Sequence, residues 1–599
     1  MEQRYNELVI KSPIEYSYLF SNLRRLSYKE VLTQYSRNQL TQMAVLLNRE
    51  YCHKPAMKLC AMLNCRDRRF KDVYDRLTDF LQIRAYSGIE YVVAFENLSL
   101  ELLRRAYSIG YRQFDENESP ANIDKLQYET VRLITQINED LMKYKIADGQ
   151  QQDLAILVYT NSASSYDILH YDMQNEYLYQ FIQSVYFFRF LEGNTKYKVL
   201  LDGFYSKYGI KTWREYVRTL SSIFCISKDH EGYIKGNLDI DVDSLMSPFV
   251  LDKISIDYNV DKIPYKSKNE YDKEGNSDYR IFRSKPIIKL KNGDYAVHSR
   301  PLLTDRLYSS LYFDFIEIAE TMTTKHPDIP NLFTSEFVEK VLFGGLLKRC
   351  LSDIYTGYDE EALKKIHKIT DGELGYPDYL LKSKKGVILF ECKDIRVNAW
   401  IKEQRNYDLI ATELRNKLVC KTYKLDYKNK KHVDIKPKRI GCGQIAGHVG
   451  CIRKGQFPWD STLQTDVVVY PVLVIADNRL LVEGLTTIIQ RWMCECLVNE
   501  GLNPNKEKPL IILSPLTILK YQELFMKNGF ERYFEEYFQS ISQPITDRAS
   551  AINTLISFDD FMGKYPFDLK ELGDKLNAEI LADRKVIKYD SSNTIEEAK

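Results

Sequence analysis

The 599-residue chain has almost no net charge, since 84 Lys and Arg stand against 83 Asp and Glu. That balance excludes a global basic field, so any surface for a polyanion must be local. Long apolar runs are missing as well. The longest, VVVYPVLVIA, is half of the roughly 20 residues that a bilayer span needs, and the N-terminal MEQRYNELVIKSP has no basic stretch ahead of an apolar core. A soluble, cytoplasmic protein is expected. No GxSxG and no GxxxxGK[ST] occurs, which removes the signatures of a serine hydrolase and of an ATP-driven motor. The eleven Cys lack the spacing of a disulfide framework and read mostly as buried thiols. Two groupings, Cys52/His53/Cys60/Cys65 and Cys442/His448/Cys451 with Cys494 and Cys496, could supply metal ligands. The first matches no zinc pattern with two close pairs; the second could hold zinc or an iron-sulfur cluster, but periodic placement on apolar helices is the preferred reading.

What is present is an ordinary globular composition, 44% hydrophobic and 28% charged, on a chain long enough for three or four domains. Residues 1–225 read as helices, with apolar repeats at three and four in YETVRLITQINEDLMKYKI and YLYQFIQSVYFFRFLE. This stretch is a candidate sensing, partner-binding or nucleic-acid-binding domain. The 44 Tyr read as core residues with wet hydroxyls rather than as base-stacking platforms. Residues 226–330 suggest a small α+β connecting module. It contains a strand in KDHEGYIKG, a solvated loop KSKNEYDKEGNSD, and a hairpin turning at Asn-Gly-Asp in PIIKLKNGDYAVHS. Residues 331–545 alternate helix and strand, as in a mixed sheet flanked by helices. Residues 546–599 read as a helical tail that becomes polar. The fold class expected is multidomain, α followed by α/β.

The chemistry concentrates in GYPDYLLKSKKGVILFECKD, residues 375–394. Strand geometry puts Val387, Leu389, Glu391 and Lys393 on one face of the second strand. With a loop at Ser383–Gly386, Lys382 opposes Val387 and Asp378 falls across from Glu391. Two carboxylates so placed repel, and burial worsens the repulsion. A divalent cation with hard oxygen ligands would relieve it, while Lys393 beside them could offset charge on a phosphorus centre.

Pro377-Asp378 followed by Glu391-Cys392-Lys393 across a turn resembles the PD-(D/E)xK, or restriction-endonuclease-like, nuclease superfamily, over roughly residues 331–545. The resemblance implies that Asp378 and Glu391 bind Mg²⁺ or Mn²⁺ and that Lys393 assists the nucleophile. It also implies an acid on the preceding helix, for which Glu339, beside the apolar positions Leu342, Phe343 and Leu346, is preferred to Glu336, and a polar residue on the following helix, for which Gln444 is preferred to His448.

Between Asp394 and the Gln444 helix lies an insertion of about 395–436. AWIKEQRNYDLIATELRNKLV reads as a helix projecting from the core. KTYKLDYKNKKHVDIKPKR follows, with Tyr423 and Tyr427 interleaved, and its Lys424, Lys428, Lys430, Lys431, Lys438 and Arg439 are candidate phosphate contacts. The activity expected is a Mg²⁺-dependent nuclease, an endonuclease on DNA in preference to an exonuclease, with RNA left open. Its architecture is analogous to bacterial antiviral defence or mobile-element proteins, and a partner protein or homo-oligomer is also left open. The alternative is a nucleic-acid-binding or scaffold protein with a catalytically silent nuclease fold.

Overall fold

The computed structural model describes residues 10–85, 89–109, 123–163, 173–229, 233–234, 246–257, 279–322, 327–351, 353–369, 374–398, 401–402, 404–426, 431–477, 480–581, 588–589 and 595–596. The architecture is mixed α/β. A five-stranded sheet carries the hairpin read from the sequence. Its strands are β1 (Thr356–Asp359), β2 (Tyr379–Lys382), β3 (Val387–Lys393), β4 (Val469–Ile475) and β5 (Ile511–Leu513), in the order β5-β4-β3-β2-β1. The first three form an antiparallel meander, and β4 and β5 run parallel to β3.

Three helices accompany these strands: α1 (Tyr407–Leu418), α2 (Cys442–Arg453) and α3 (Leu485–Asn499). The crossover from β3 to its parallel neighbour β4 includes α2, and α3 connects β4 to β5. Strand β3 is the middle of the sheet and is buried on both faces, which is why its sequence is an apolar run rather than an alternation.

The two faces meet different cores. Tyr379, Leu381, Ile388, Phe390 and Cys392 join an aromatic-rich cluster that also takes in residues from the 1–225, 226–330 and 546–599 stretches, such as Phe187, Phe315 and Leu576. Leu380, Val387, Leu389 and Leu473 join a second cluster with α1, α2 and α3. Helix α1 does not project from the core, because Ile410, Leu414 and Leu418 are fully buried in that second cluster.

The hairpin in residues 287–297 forms as expected. Ile287–Lys289 pairs antiparallel with Tyr295–Val297, and Gly293 takes φ +87° in the turn. The 266–278 loop lies outside the described residues. In the N-terminal region a two-stranded parallel pair, Ile10–Pro13 with Ile89–Val92, accompanies the helices. No helix among the described residues is long and apolar enough to cross a membrane.

The glycines of GCGQIAGHVG have a packing reason. Helix α2 begins hard against the chain at Leu418–Val419, where Ile440 N–H donates to the Val419 carbonyl over 3.1 Å. A Cβ on Gly441 would sit 2.3 Å from the Leu418 carbonyl oxygen, and one on Gly443 would sit 2.4 Å from that of Val419. Gly441 also holds φ +48°, ψ −119°, a conformation that side chains avoid. Gly441→Ala should therefore destabilise the fold by about 1–3 kcal/mol through backbone strain alone, read as a lower melting temperature in calorimetry. An unchanged melting temperature would mean that the contact is soft.

Candidate active site

The β2–β3 register is Tyr379 opposite Phe390 and Lys382 opposite Val387, closed by Ser383 N–H donating to the Gly386 carbonyl over 2.9 Å. One step beyond the last ladder pair, Asp378 turns its side chain to the neighbouring strand, and its Oδ2 accepts from Cys392 N–H at 2.7 Å. Lys393 Nζ lies 2.6 Å from Glu391 Oε1 and 3.3 Å from Asp378 Oδ2, and it donates to the Cys392 carbonyl at 3.0 Å. The ammonium thus bridges the two acids at the end of the central strand.

Electrostatics follow from that burial. Glu391 is 1% exposed, and its Oε2 is enclosed with no hydrogen-bond partner. Burial, then the nearby Asp378 charge, push its carboxyl up to about 8 in spite of Lys393. Glu339 is pushed up to about 7, first by burial and then by Asp378, so it shares the field of the same group. For Lys393, burial pulls downward, but Glu391, Asp378 and Glu339 override it and hold the amine well above its usual range. Lys393 is a cation here and not a general base.

Glu339 sits on a π-helix, Leu332–Phe343, that passes into an α-helix at Gly344. The α-helical spacing used to choose it is therefore not the spacing the segment adopts. Its buried residues Phe337, Val338, Leu342 and Phe343 anchor the segment, and the Phe343 ring lies 5.8 Å from that of Phe390 on β3. π-Helical segments are rare and recur at functional sites. Glu336 points elsewhere, binding Lys196 at 2.6 Å, the Tyr197 hydroxyl and Asn331 at 3.0 Å.

Gln444 does not touch the acids. Its Nε2 donates to the Tyr376 carbonyl at 2.7 Å and fastens the backbone two residues ahead of Asp378. Burial pulls His448 down to about 3, so it is neutral at pH 7. It packs edge-on to Trp459, ring centroids 5.4 Å apart, as part of the core.

The insertion forms an antiparallel hairpin, Cys420–Asp426 with Lys431–Arg439. Lys424 and Lys438 are exposed, as is Lys436, while Arg439 pairs with Glu500 at 2.6 Å. Lys428, Lys430 and Tyr427 lie outside the described residues, and Lys431 is placed only as a strand residue. Tyr423 is not a free platform, because it is buried with its hydroxyl donating to Glu413 at 2.9 Å.

Sequence reading missed Arg396, whose guanidinium lies 3.6 Å from the Tyr312 ring centroid three residues beyond Lys393. Its partner is 84 residues away in sequence, and no spacing rule could have joined them.

Among the described residues, no group of three or more His, Cys, Asp or Glu is arranged to hold a metal ion. That includes both Cys/His groupings: His53 pairs with Glu96 at 2.8 Å, and the cysteines are free thiols. The donor chemistry at Asp378 and Glu391 nevertheless fits Mg²⁺. That ion is commonly held by one or two carboxylates plus substrate phosphates rather than by an all-protein cage, and Glu391 Oε2 is an oxygen that lacks a partner. No protein-family model, curated protein or solved structure matches the chain.

The raised Glu391 carboxyl has a consequence for stability. An acid whose folded value, about 8, exceeds its ordinary 4.5 binds its proton more tightly in the native state. Native stability contributed by the protonated group is then lost as pH rises from about 4.5 towards 8. In metal-free buffer, Glu391→Gln should flatten that dependence and stabilise the protein at pH 8 by on the order of a few kcal/mol. Denaturation midpoints across the window check this, and an equally steep slope in the variant would assign it to other groups.

Proposed function

We propose that the protein is a Mg²⁺-dependent nuclease that hydrolyses phosphodiester bonds in DNA, with a restriction-endonuclease-like core over residues 331–545. The observation that carries the reading is the convergence of Asp378 and Glu391 on Lys393 at the end of the central strand, with one Glu391 oxygen left unpartnered. The chain order of the core supports it: an acidic helix, three antiparallel strands, a crossover through α2, and a strand parallel to β3.

Each side chain then has a role. Asp378 and Glu391 would hold the cation, with Glu339 the third acid in their field. Mg²⁺, when bound, supplies Lewis-acid polarisation of the phosphoryl oxygens and lowers the pKa of a bound water. Lys393, released from balancing two acids, offsets the negative charge that grows on the phosphorane oxygens and orients the attacking water through its N–H groups. Gln444 fixes the backbone that carries Asp378 and acts as a positioning residue. Lys424, Lys436 and Lys438 offer sequence-independent phosphate contacts.

The competing reading is a catalytically silent binding or scaffold protein, in which the ammonium bridge is simply a permanent counter-ion. One assay separates the two. Plasmid and single-stranded substrates should be cut with Mg²⁺ or Mn²⁺ and not with EDTA, and Asp378→Ala or Lys393→Ala should lower the rate at least about 10²-fold. In parallel, Mg²⁺ should raise the melting temperature of wild type but not of Asp378→Ala. Cleavage that survives either EDTA or both substitutions would remove the nuclease reading from this site.

The hairpin makes a separate claim. Lys424→Ala and Lys438→Ala should each weaken nucleic-acid binding and reduce the slope of log K against log salt by roughly 0.7–0.9. If salt titrations give slopes equal to wild type, the phosphates are bound somewhere else.

A further inference from the structure

The chain past the end of β3 leads from the carboxylates to an aromatic surface that the nuclease reading does not use. Phe313 is 58% exposed, one of the most exposed large apolar side chains among the described residues. A single exposed Phe is commonplace, but this one belongs to an ordered group. Its ring stands edge-on to Tyr312, centroids 5.3 Å apart at 87°. The guanidinium of Arg396 lies 3.6 Å from the Tyr312 centroid and 5.9 Å from that of Phe313. Arg396 Nη2 is 3.7 Å from Asp394 Oδ2, and the side chain keeps 32% of its exposure.

The platform is rigid. Phe313 lies on the helix Leu311–Thr321, whose Leu311, Phe315 and Ile318 are buried in the aromatic core. The next residue, Asp314, is locked by Arg306 at 2.6 Å and Lys207 at 2.9 Å. Arg396 follows Lys393 by three residues, so their Cα atoms are at most about 10 Å apart.

We infer that Phe313, with Arg396 and Tyr312 beside it, is a stacking platform for an unpaired base of a strand whose backbone crosses the Asp378–Glu391 site, so that the substrate class is single-stranded nucleic acid or a melted duplex end. This rests on the nuclease reading for the position of the scissile strand. Stacking on an exposed aromatic face is sequence-tolerant, and it requires that the base be out of a helix, since a paired base in a duplex has both faces covered. The adjacent guanidinium complements both the π-face and the phosphate of the same nucleotide.

The test uses the full chain in EDTA, so that binding is read without cleavage. The probes are a short single-stranded oligodeoxynucleotide carrying 2-aminopurine at successive positions and its blunt duplex. Wild type should quench the fluorescent base at one position of the single strand. Phe313→Ala should abolish that quench and weaken single-strand affinity by about 5- to 100-fold with duplex affinity unchanged, and Phe313→Trp should restore both. Melting temperatures show that the variants fold. No quench with wild type, or equal effects of Phe313→Ala on both probes, would overturn the platform. Should Asp378→Ala still cleave while Phe313→Ala loses the quench, the catalytic reading falls and the stacking site stands.

Discussion

The charged end of β3 depends on one contact, the ammonium of Lys393 held between Asp378 and Glu391. Burying two acids side by side is unfavourable, and removing the ammonium between them would leave their charge with nothing to answer it, at a cost of about 3–5 kcal/mol. The bridge forms only because the β2–β3 register is fixed. A slip of one residue would carry Glu391 to the face of Phe390 and Cys392, into the aromatic core and away from Lys393. The four-residue turn at Ser383–Gly386 and the electrostatics of the site are therefore one constraint.

The surroundings answer to that constraint. Asp378 lies just outside the ladder, so its position depends on groups other than strand pairing: the Cys392 amide in front and the Gln444 amide behind, through Tyr376. Gln444 can reach Tyr376 because helix α2 is seated against residues 418 and 419, which in turn demands glycine at 441 and 443. The Gly-rich helix start is a matter of close packing in the fold.

How much of this was legible follows from the range of the interactions. The hairpin, its loop and the face shared by Glu391 and Lys393 were readable because they obey a two-residue period over a short stretch. The preference for Glu339 over Glu336 came from an α-helical spacing that the π-helix does not keep, and it is tertiary placement that sets the two apart: Glu336 is claimed by Lys196 and Tyr197, about 140 residues upstream. Tyr423 belongs in sequence to a basic, aromatic strip but is buried on Glu413, and the register of the ribbon shifts between Lys421 and Tyr423. Helix α1 is expected to project, whereas Ile410, Leu414 and Leu418 are enough to seat it in the core. The Arg396–Tyr312 contact joins segments with no local pattern in common.

Near-neutral net charge also limits what the hairpin can do. Of its basic residues, Arg439 is paired with Glu500, and the ribbon also carries the acid Asp434, across from Tyr423. Lys424, Lys436 and Lys438 remain exposed, and three phosphate contacts give a salt slope of only about −2 to −3. An attraction that small cannot hold a strand in one register by itself, since phosphate contacts are the same at every step of the chain. A contact with a base can, because it singles out one nucleotide. On the proposed nuclease reading, a modest, local charge therefore makes the exposed Phe313 face more consequential than it would be beside a strongly basic surface.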